Sequence, residues 1–485
     1  MQRPTFYRFL PLFMLAFLWA LATNASATTP ALIANKIVTA YGGEKLRDLR
    51  SIRIQDDGLY SEYQYGFTPN FYEYDVRTTD LEIDFASLRG SYDYRLTGDR
   101  FAFHNRTLSL PDGIAHISYA MRNYEPSAFE NFYQAFGASM RTSDTLIAKL
   151  IALNPEGVTA IRRSSYLGRE HHIAQFDFPG SSPVELYVDA NTGFLTRMNR
   201  QMSGPAKLTY LWSNHARDEG LVYGTLFQLH VDDHLEAVVT RRRLTANMVT
   251  ASAFRIDSGI SREPDRLEMG GPSDRALSDT VHLTGQDGSY SLFIDAGDHI
   301  VAVGTTRGFR ERFERYSAAR GHTKPLKYAV AAQHAAPHLS GISDAVALGA
   351  RIIAHASHAE TIARTIGAAA AELQIIALDS FMQIGEVEIH AVVTTHAEQL
   401  ALVYLPEIRA VYQTDSYGNS YGDAPGFAGI GGVTLKSEID RLKLDVETIL
   451  FVYSPWPDSY SNFGEAVERY VERPCYSTRA MCSGW

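Results

Sequence analysis

Two short stretches of this chain set metal-ligating residue types side by side, His171-His172 and Asp232-Asp233-His234. Imidazole nitrogens and carboxylates are the donors that zinc and other divalent sites draw on. Each stretch also fits a turn or a strand edge, and that is how both are read here. Nucleophilic catalysis has less to stand on. The sequence carries no G-x-S-x-G elbow and no phosphate-cradling glycine-rich loop. Gly429-Ile430-Gly431-Gly432 lacks the lysine and the strand–helix context that such a loop needs. There are 2 cysteines, Cys475 and Cys482, which excludes a thiolate-built zinc or iron–sulfur site. Their wide spacing is not the C-x-x-C of a redox pair. In an oxidising compartment they would close a small disulfide loop at the C-terminus, two free thiols being the alternative.

The elements that must position any chemistry follow from length and pattern. A chain of 485 residues suffices for two or three domains. At 45% hydrophobic and 21% charged it is neither largely disordered nor a polytopic membrane protein. With Lys+Arg 45 against Asp+Glu 55, the formal charge of −10 gives no basic field for nucleic acid.

Arg3 and Arg8 precede an apolar run from Phe9 to Ala22, which ends at Ala25-Ser26-Ala27. That is a signal peptide over residues 1–27, with a retained anchor as the alternative. The run is shorter than the roughly 20 residues a spanning helix needs, and no other run approaches that length. The expected location is periplasmic or secreted, with no membrane-spanning segment after signal removal.

Residues 28–254 read as one helix, Ala31 to Leu49 with a break at Gly42-Gly43, leading into a large antiparallel sheet. Leu81 to Phe85 alternates cleanly, and Val184 to Leu195 reads as strand, Asp-Ala-Asn-Thr-Gly turn, strand. The aromatics Tyr60, Tyr63, Tyr65, Phe67, Phe71, Tyr72 and Tyr74 suit the inner face of a curved sheet; a cavity for an apolar ligand is the other reading. Residues 255–278, with Pro264, Gly270-Gly271 and Pro272, read as a linker. From 279 to 485 short strands alternate with helices, as in a layered α/β domain. The predicted order is a hairpin over Ser291 to Gly304, a helix over Arg307 to Gly321, a strand over Leu326 to Ala332 and a helix from Ser343. Strands at Arg351 to Ala354, Glu386 to Val393, Leu400 to Leu405 and Ala410 to Gln413 follow, with a helix over Ala359 to Leu373.

The opening helix with Gly42-Gly43-Glu44-Lys45-Leu46, the turn at 189–193 and the stretch Tyr210 to Asn247 resemble the half-barrel of Lol-type periplasmic lipoprotein carriers. That resemblance implies a curved antiparallel sheet wrapped round a helix, with an apolar cavity.

The second half resembles the metallo-β-lactamase superfamily from about Val281 to Val467. The matching elements are Tyr328 to Val330 running into Ala331 to Ile342 (AAQHAAPHLSGI), Gly349 to His355, and Val393-Thr394-Thr395-His396. Leu400 to Pro406, Ala410 to Asp415 and Leu442 to Leu450 complete the match. The resemblance implies an αββα sandwich with metal ligands at the strand ends. Carried over position by position, the first motif holds Gln333, Ala335, Pro337 and His338. The later histidine is His396, the bridging aspartate Asp415, and the terminal histidine position falls at Ser454. His338, His396 and Asp415 alone survive. Ala335 and Pro337 cannot coordinate, Gln333 offers a neutral carbonyl, and neither zinc of a dinuclear site keeps three protein ligands.

The expected function is therefore a non-catalytic ligand-binding or scaffold protein with a degenerate metal site, no cofactor, and a small-molecule or apolar ligand as partner. The alternative is a mononuclear hydrolase with one zinc, in which His334 substitutes for a lost ligand beside His338, His396 and Asp415. Without a tightly held dication nothing lowers the pKa of an attacking water.

Overall fold

The computed structural model describes residues 28–472 except 62–65, 70–72, 99–101, 120–121, 128, 202–206, 233, 263–271, 287, 322, 368–372 and 419–427. The signal peptide, Cys475 and Cys482 lie outside the described residues, as do Tyr63, Tyr65, Phe71, Tyr72 and Asp233.

The chain opens with the helix Pro30–Ala40, capped by the Thr29 hydroxyl. The break falls at Gly42-Gly43, as the sequence predicts. Gly42 has φ +133°, and a Cβ there would lie 2.8 Å from the Gly220 carbonyl oxygen. A 14-stranded sheet follows. It consists of two antiparallel meanders, Ser51–Tyr60 to Asn123–Pro126 and Val158–Tyr166 to His234–Ala246, and a short edge strand, Ser261–Arg262. The meanders are joined where Ser51–Tyr60 pairs with His234–Ala246. Laid flat, strands Asp75–Asp84 and Val158–Tyr166 would stand roughly 40 Å apart at about 4.8 Å per strand. Leu81 and Val158 nevertheless share one hydrophobic cluster with the helices between them, so the sheet curls round those helices.

Two of those helices are absent from the sequence reading, which foresaw a single helix before the sheet. Phe132–Met140 is capped by the Asn131 side chain and Asp144–Leu153 by the Ser143 hydroxyl. Leu146, Ile147, Leu150 and Ile151 recur at helical spacing and are all buried. Asp144, fully buried, ties this helix to its surroundings. Its carboxylate accepts from the Tyr41 hydroxyl at 2.7 Å and from the Gly224 and Thr145 amides at 3.0 Å. His215 Nε2 lies 3.1 Å away.

The stretch read as linker contributes edge strands to both halves. Ser261–Arg262 adds in parallel beside Asn123–Pro126, and Ser273–Ala276 joins the second half's first sheet.

The second half is an αββα sandwich, and the alternation of its strands shows why. Val301, Val303, Val330 and Ile353 point inward from a 7-stranded sheet, against Val387, Ile389, Val403 and Leu450 of a 6-stranded sheet. Their neighbours Ile300, Ala302, Ala329 and Ile352 point outward, under helices Phe309–Arg320, Ile342–Ala347 and Ala359–Ile366. On the other side Leu400, Leu402, Val411 and Ile449 lie under Ile430–Leu442 and Tyr460–Glu472. Period-two alternation thus feeds three apolar layers from two sheets. No helix among the described residues is long and apolar enough to cross a membrane.

Candidate functional site

The cleft is built at the carboxyl ends of strands from both sheets of the sandwich. Leu326–Val330 leads into residues 331–335, and Ala410–Gln413 leads into Thr414 and Asp415. Thr448–Phe451 leads into Tyr453 and Ser454, and residues 393–399 precede the strand Leu400–Leu405. In open α/β sheets this end is where ligands bind.

At its centre two N–H donors converge on one carboxylate oxygen. Asp415 Oδ2 accepts from His338 Nε2 at 2.7 Å and from Gln333 Nε2 at 2.5 Å. The Gln333 amide also donates to Thr414 Oγ1 at 3.0 Å. Gln333 and His338 are buried, and the Asp415 side chain keeps 12% exposure. The His338 main chain is itself anchored, its carbonyl accepting from the Thr305 hydroxyl at 2.7 Å. An amide and an imidazole therefore both bond Oδ2 of Asp415, the residue expected from the sequence at the bridging position. Charge-assisted bonds of this length are among the stronger ones in a protein.

The other positions fall as follows. His396 sits against the start of the helix Ile430–Leu442, where Gly431 permits close approach: a Cβ there would lie 2.6 Å from His396 Nε2. Ala335 precedes the short helix Ala336–Leu339, in which Pro337 occupies the first turn and offers no donor atom. Ser454 closes a local turn, its hydroxyl accepting from the Trp456 amide at 3.1 Å.

His334 is held elsewhere, its Nε2 bonded to the Gly66 carbonyl at 2.9 Å. Its ring lies 5.1 Å from that of His358, which in turn lies 5.8 Å from that of His355. Burial, with His334 and His355 adding to it, pushes the His358 imidazole down to about 3. Among the described residues no group of three or more His, Cys, Asp or Glu side chains is placed to hold a metal ion. The donor set does not fit a zinc centre of three protein ligands. The mononuclear alternative needs His334 beside His338, His396 and Asp415, and its Nε2 is bonded to the Gly66 carbonyl instead.

Outside the cleft, His171 bonds the Thr196 hydroxyl at 3.0 Å on a strand, and His234 bonds the Ser61 carbonyl at 3.0 Å. His171 lies within a strand paired on both sides, and His234 opens the strand His234–Ala246 just after a turn at Asp232. Tyr417 is buried with its hydroxyl on Asp458 at 2.9 Å, and residues 419–427 after it lie outside the described residues.

Two cleft residues escaped the sequence reading. Thr414 shares the Gln333 amide, and the Tyr453 ring lies 5.6 Å from that of His338. Their adjacency to Asp415 and Ser454 is the only signal the sequence offers for them.

No family model matches the chain. A curated relative, the bromoxynil-specific nitrilase of Klebsiella pneumoniae subsp. ozaenae, is 24% identical over 256 residues, covering 46% of this chain and 71% of its own. Among solved structures, a metallo-β-lactamase from Pontibacter korlensis is similar over 41% of this chain and 98% of its own, at 14% identity and a TM-score of 0.33. The metallo-β-lactamase FIM-1 from Pseudomonas aeruginosa, in its mono-zinc form, is similar over 43% of this chain and 98% of its own, at 15% identity and a TM-score of 0.34. A flavodiiron protein from Giardia intestinalis matches 42% of this chain and 59% of its own, at 14% identity and a TM-score of 0.33.

Proposed function

We propose that this chain is an exported, non-catalytic scaffold protein, in which a metallo-β-lactamase-like sandwich has exchanged its metal centre for a hydrogen-bonded polar cleft. The observation that carries the reading is the pair of N–H donors on Asp415 Oδ2. To take up a metal at this oxygen, His338 must surrender its Nε2 proton and Gln333 must turn its amide round. Both changes break bonds to a largely buried carboxylate. Ala335, Pro337 and Ser454 supply nothing to offset that loss at a zinc centre.

Under this reading His338, His396 and Asp415 are remnant ligand positions with structural work, and the protein needs no cofactor. The Lol-type resemblance of the first half is taken as a likeness of fold. Its concave face is filled by Phe136, Met140, Ile147 and Ile151 from the enclosed helices, which supports a packed scaffold over a lipid carrier.

The test is thermal unfolding of the mature chain with chelator and with excess zinc, alongside turnover of ester and lactam substrates. Superimposable melting curves and no chelator-sensitive turnover support the scaffold. A zinc-dependent rise in Tm, or hydrolysis abolished both by chelator and by His396→Ala, overturns it. Acyl chains extracted from the purified protein would make the first half a lipid carrier instead.

A further inference from the structure

The connection between strands Ser51–Tyr60 and Asp75–Asp84 belongs by sequence to the first half, yet part of it lies in the second half's cleft. The Gly66 carbonyl accepts from His334 Nε2 at 2.9 Å. The next carbonyl, that of Phe67, accepts from the Glu398 amide at 2.9 Å. The two donors come from the two loops that line the cleft, residues 331–335 and 393–399. These are the same loops that present Gln333 and His396. Gly66 and His334 are both buried, so the bond between them is not a surface contact that water replaces at no cost, whereas the second bond joins a half-buried Phe67 to an exposed Glu398. The carbonyl acceptor also fixes the imidazole, because only a protonated Nε2 can donate to it.

Two successive main-chain carbonyls, each taken by one wall of a cleft, let a site hold a segment by its backbone alone. We propose that the cleft is a main-chain binding socket whose occupant is this chain's own segment around Gly66 and Phe67, so that the former metal-site loops fasten the first half onto the second. The inference rests on the scaffold reading above, and it assigns His334 a purpose: the imidazole is a donor to the inserted segment. Recognition passes through carbonyls, so it is indifferent to the side chain at position 67.

Hydrogen exchange on the full mature chain, read at the Glu398 amide, tests this. His334→Leu removes the donor and loosens the segment, and exchange at Glu398 rises roughly tenfold, as expected for loss of one buried hydrogen bond beside it. His334→Gln, which keeps an N–H at nearly the same reach, restores protection to within about twofold of the parent. Phe67→Ala keeps both carbonyls and leaves protection within the same range. Unchanged exchange in His334→Leu overturns the socket, as does Phe67→Ala releasing Glu398 as fully as His334→Leu does.

If His334→Leu does not fold, the paired substitution Phe67→Cys with Glu398→Cys gives an independent answer. A 2.9 Å N···O contact between the two backbones brings their α-carbons within disulfide reach. Peptide mapping of the oxidised protein then finds a bridge between the introduced cysteines. Failure to find it overturns the proposal. Zinc titration leaves these readouts alone, so the socket and the metal-free reading stand or fall separately.

Discussion

Replacing Gln333 by leucine removes the amide that holds Asp415 while nearly conserving volume. The bonds lost are one to a carboxylate and one to the Thr414 hydroxyl, both inside a buried pocket. Bonds to charged groups contribute about 1.5–3 kcal/mol and neutral ones about 0.5–1.5 kcal/mol, partly offset here by the apolar surface leucine buries. The expected net cost is about 2–4 kcal/mol. For a sandwich of this size each kcal/mol lowers Tm by about 2–4 °C, so the second half should melt about 5–15 °C earlier. Gln333→Glu is worse at equal size, because it sets a second carboxylate against Asp415 where an N–H donor stood at 2.5 Å. Differential scanning calorimetry at fixed pH, with chelator present throughout, resolves the transition. Two variants melting within about 2 °C of the parent would refute the view that the amide replaces the cation at Asp415.

Three further outcomes follow from the same structure. His282 is buried and accepts from Arg320 Nη2, and burial and then that guanidinium hold its imidazole below the ordinary histidine range, against the opposing pull of Asp274. A base depressed in the folded state is protonated first in the unfolded chain, so its contribution is present above about pH 6.5 and lost as pH falls below it. His282→Phe should therefore flatten the acid limb of a stability–pH profile below about pH 6.5, by at most about 1.4 kcal/mol per pH unit, and an unchanged slope would count against this reading.

Asp144→Ala strips the acceptor shared by Tyr41, Gly224 and Thr145, and should cost the first half about 3–5 kcal/mol in urea unfolding. A loss under about 1 kcal/mol would contradict the network. Lys149→Met removes an ammonium that caps the Leu46 and Arg47 carbonyls at 3.1 and 2.6 Å, and should lower stability by about 1–3 kcal/mol; no change by the same assay would show the cap to be idle.

Most of the sandwich was legible because its strands carry short apolar runs bounded by turn residues. Leu400–Leu405 and Ala410–Gln413 appear with the predicted bounds. The turn after Val184–Asp189 was legible through its own chemistry, since Asp189 Oδ1 accepts from the Asn191 and Thr192 amides, each at 2.9 Å. The helices Phe132–Met140 and Asp144–Leu153 were missed although Asn131 and Ser143 are sound N-caps. Their aromatic and aliphatic residues merge into the strand-like texture on either side.

At the site, what Ala335 and Pro337 cannot do was readable from residue type alone: neither side chain has a donor atom wherever it sits. The direction of His334 was not. Its partner Gly66 lies 268 residues away, and neither residue type announces the other. Nothing local distinguishes an imidazole that turns toward Asp415 from one that turns toward a carbonyl.

Metal content of the untagged chain purified in native form, measured by plasma mass spectrometry after dialysis against zinc-containing buffer, tests the central claim most directly. Substoichiometric zinc, indifferent to His338→Ala, is the expected result. About one zinc per chain, lost in His338→Ala or His396→Ala, would contradict it and return the cleft to metal chemistry.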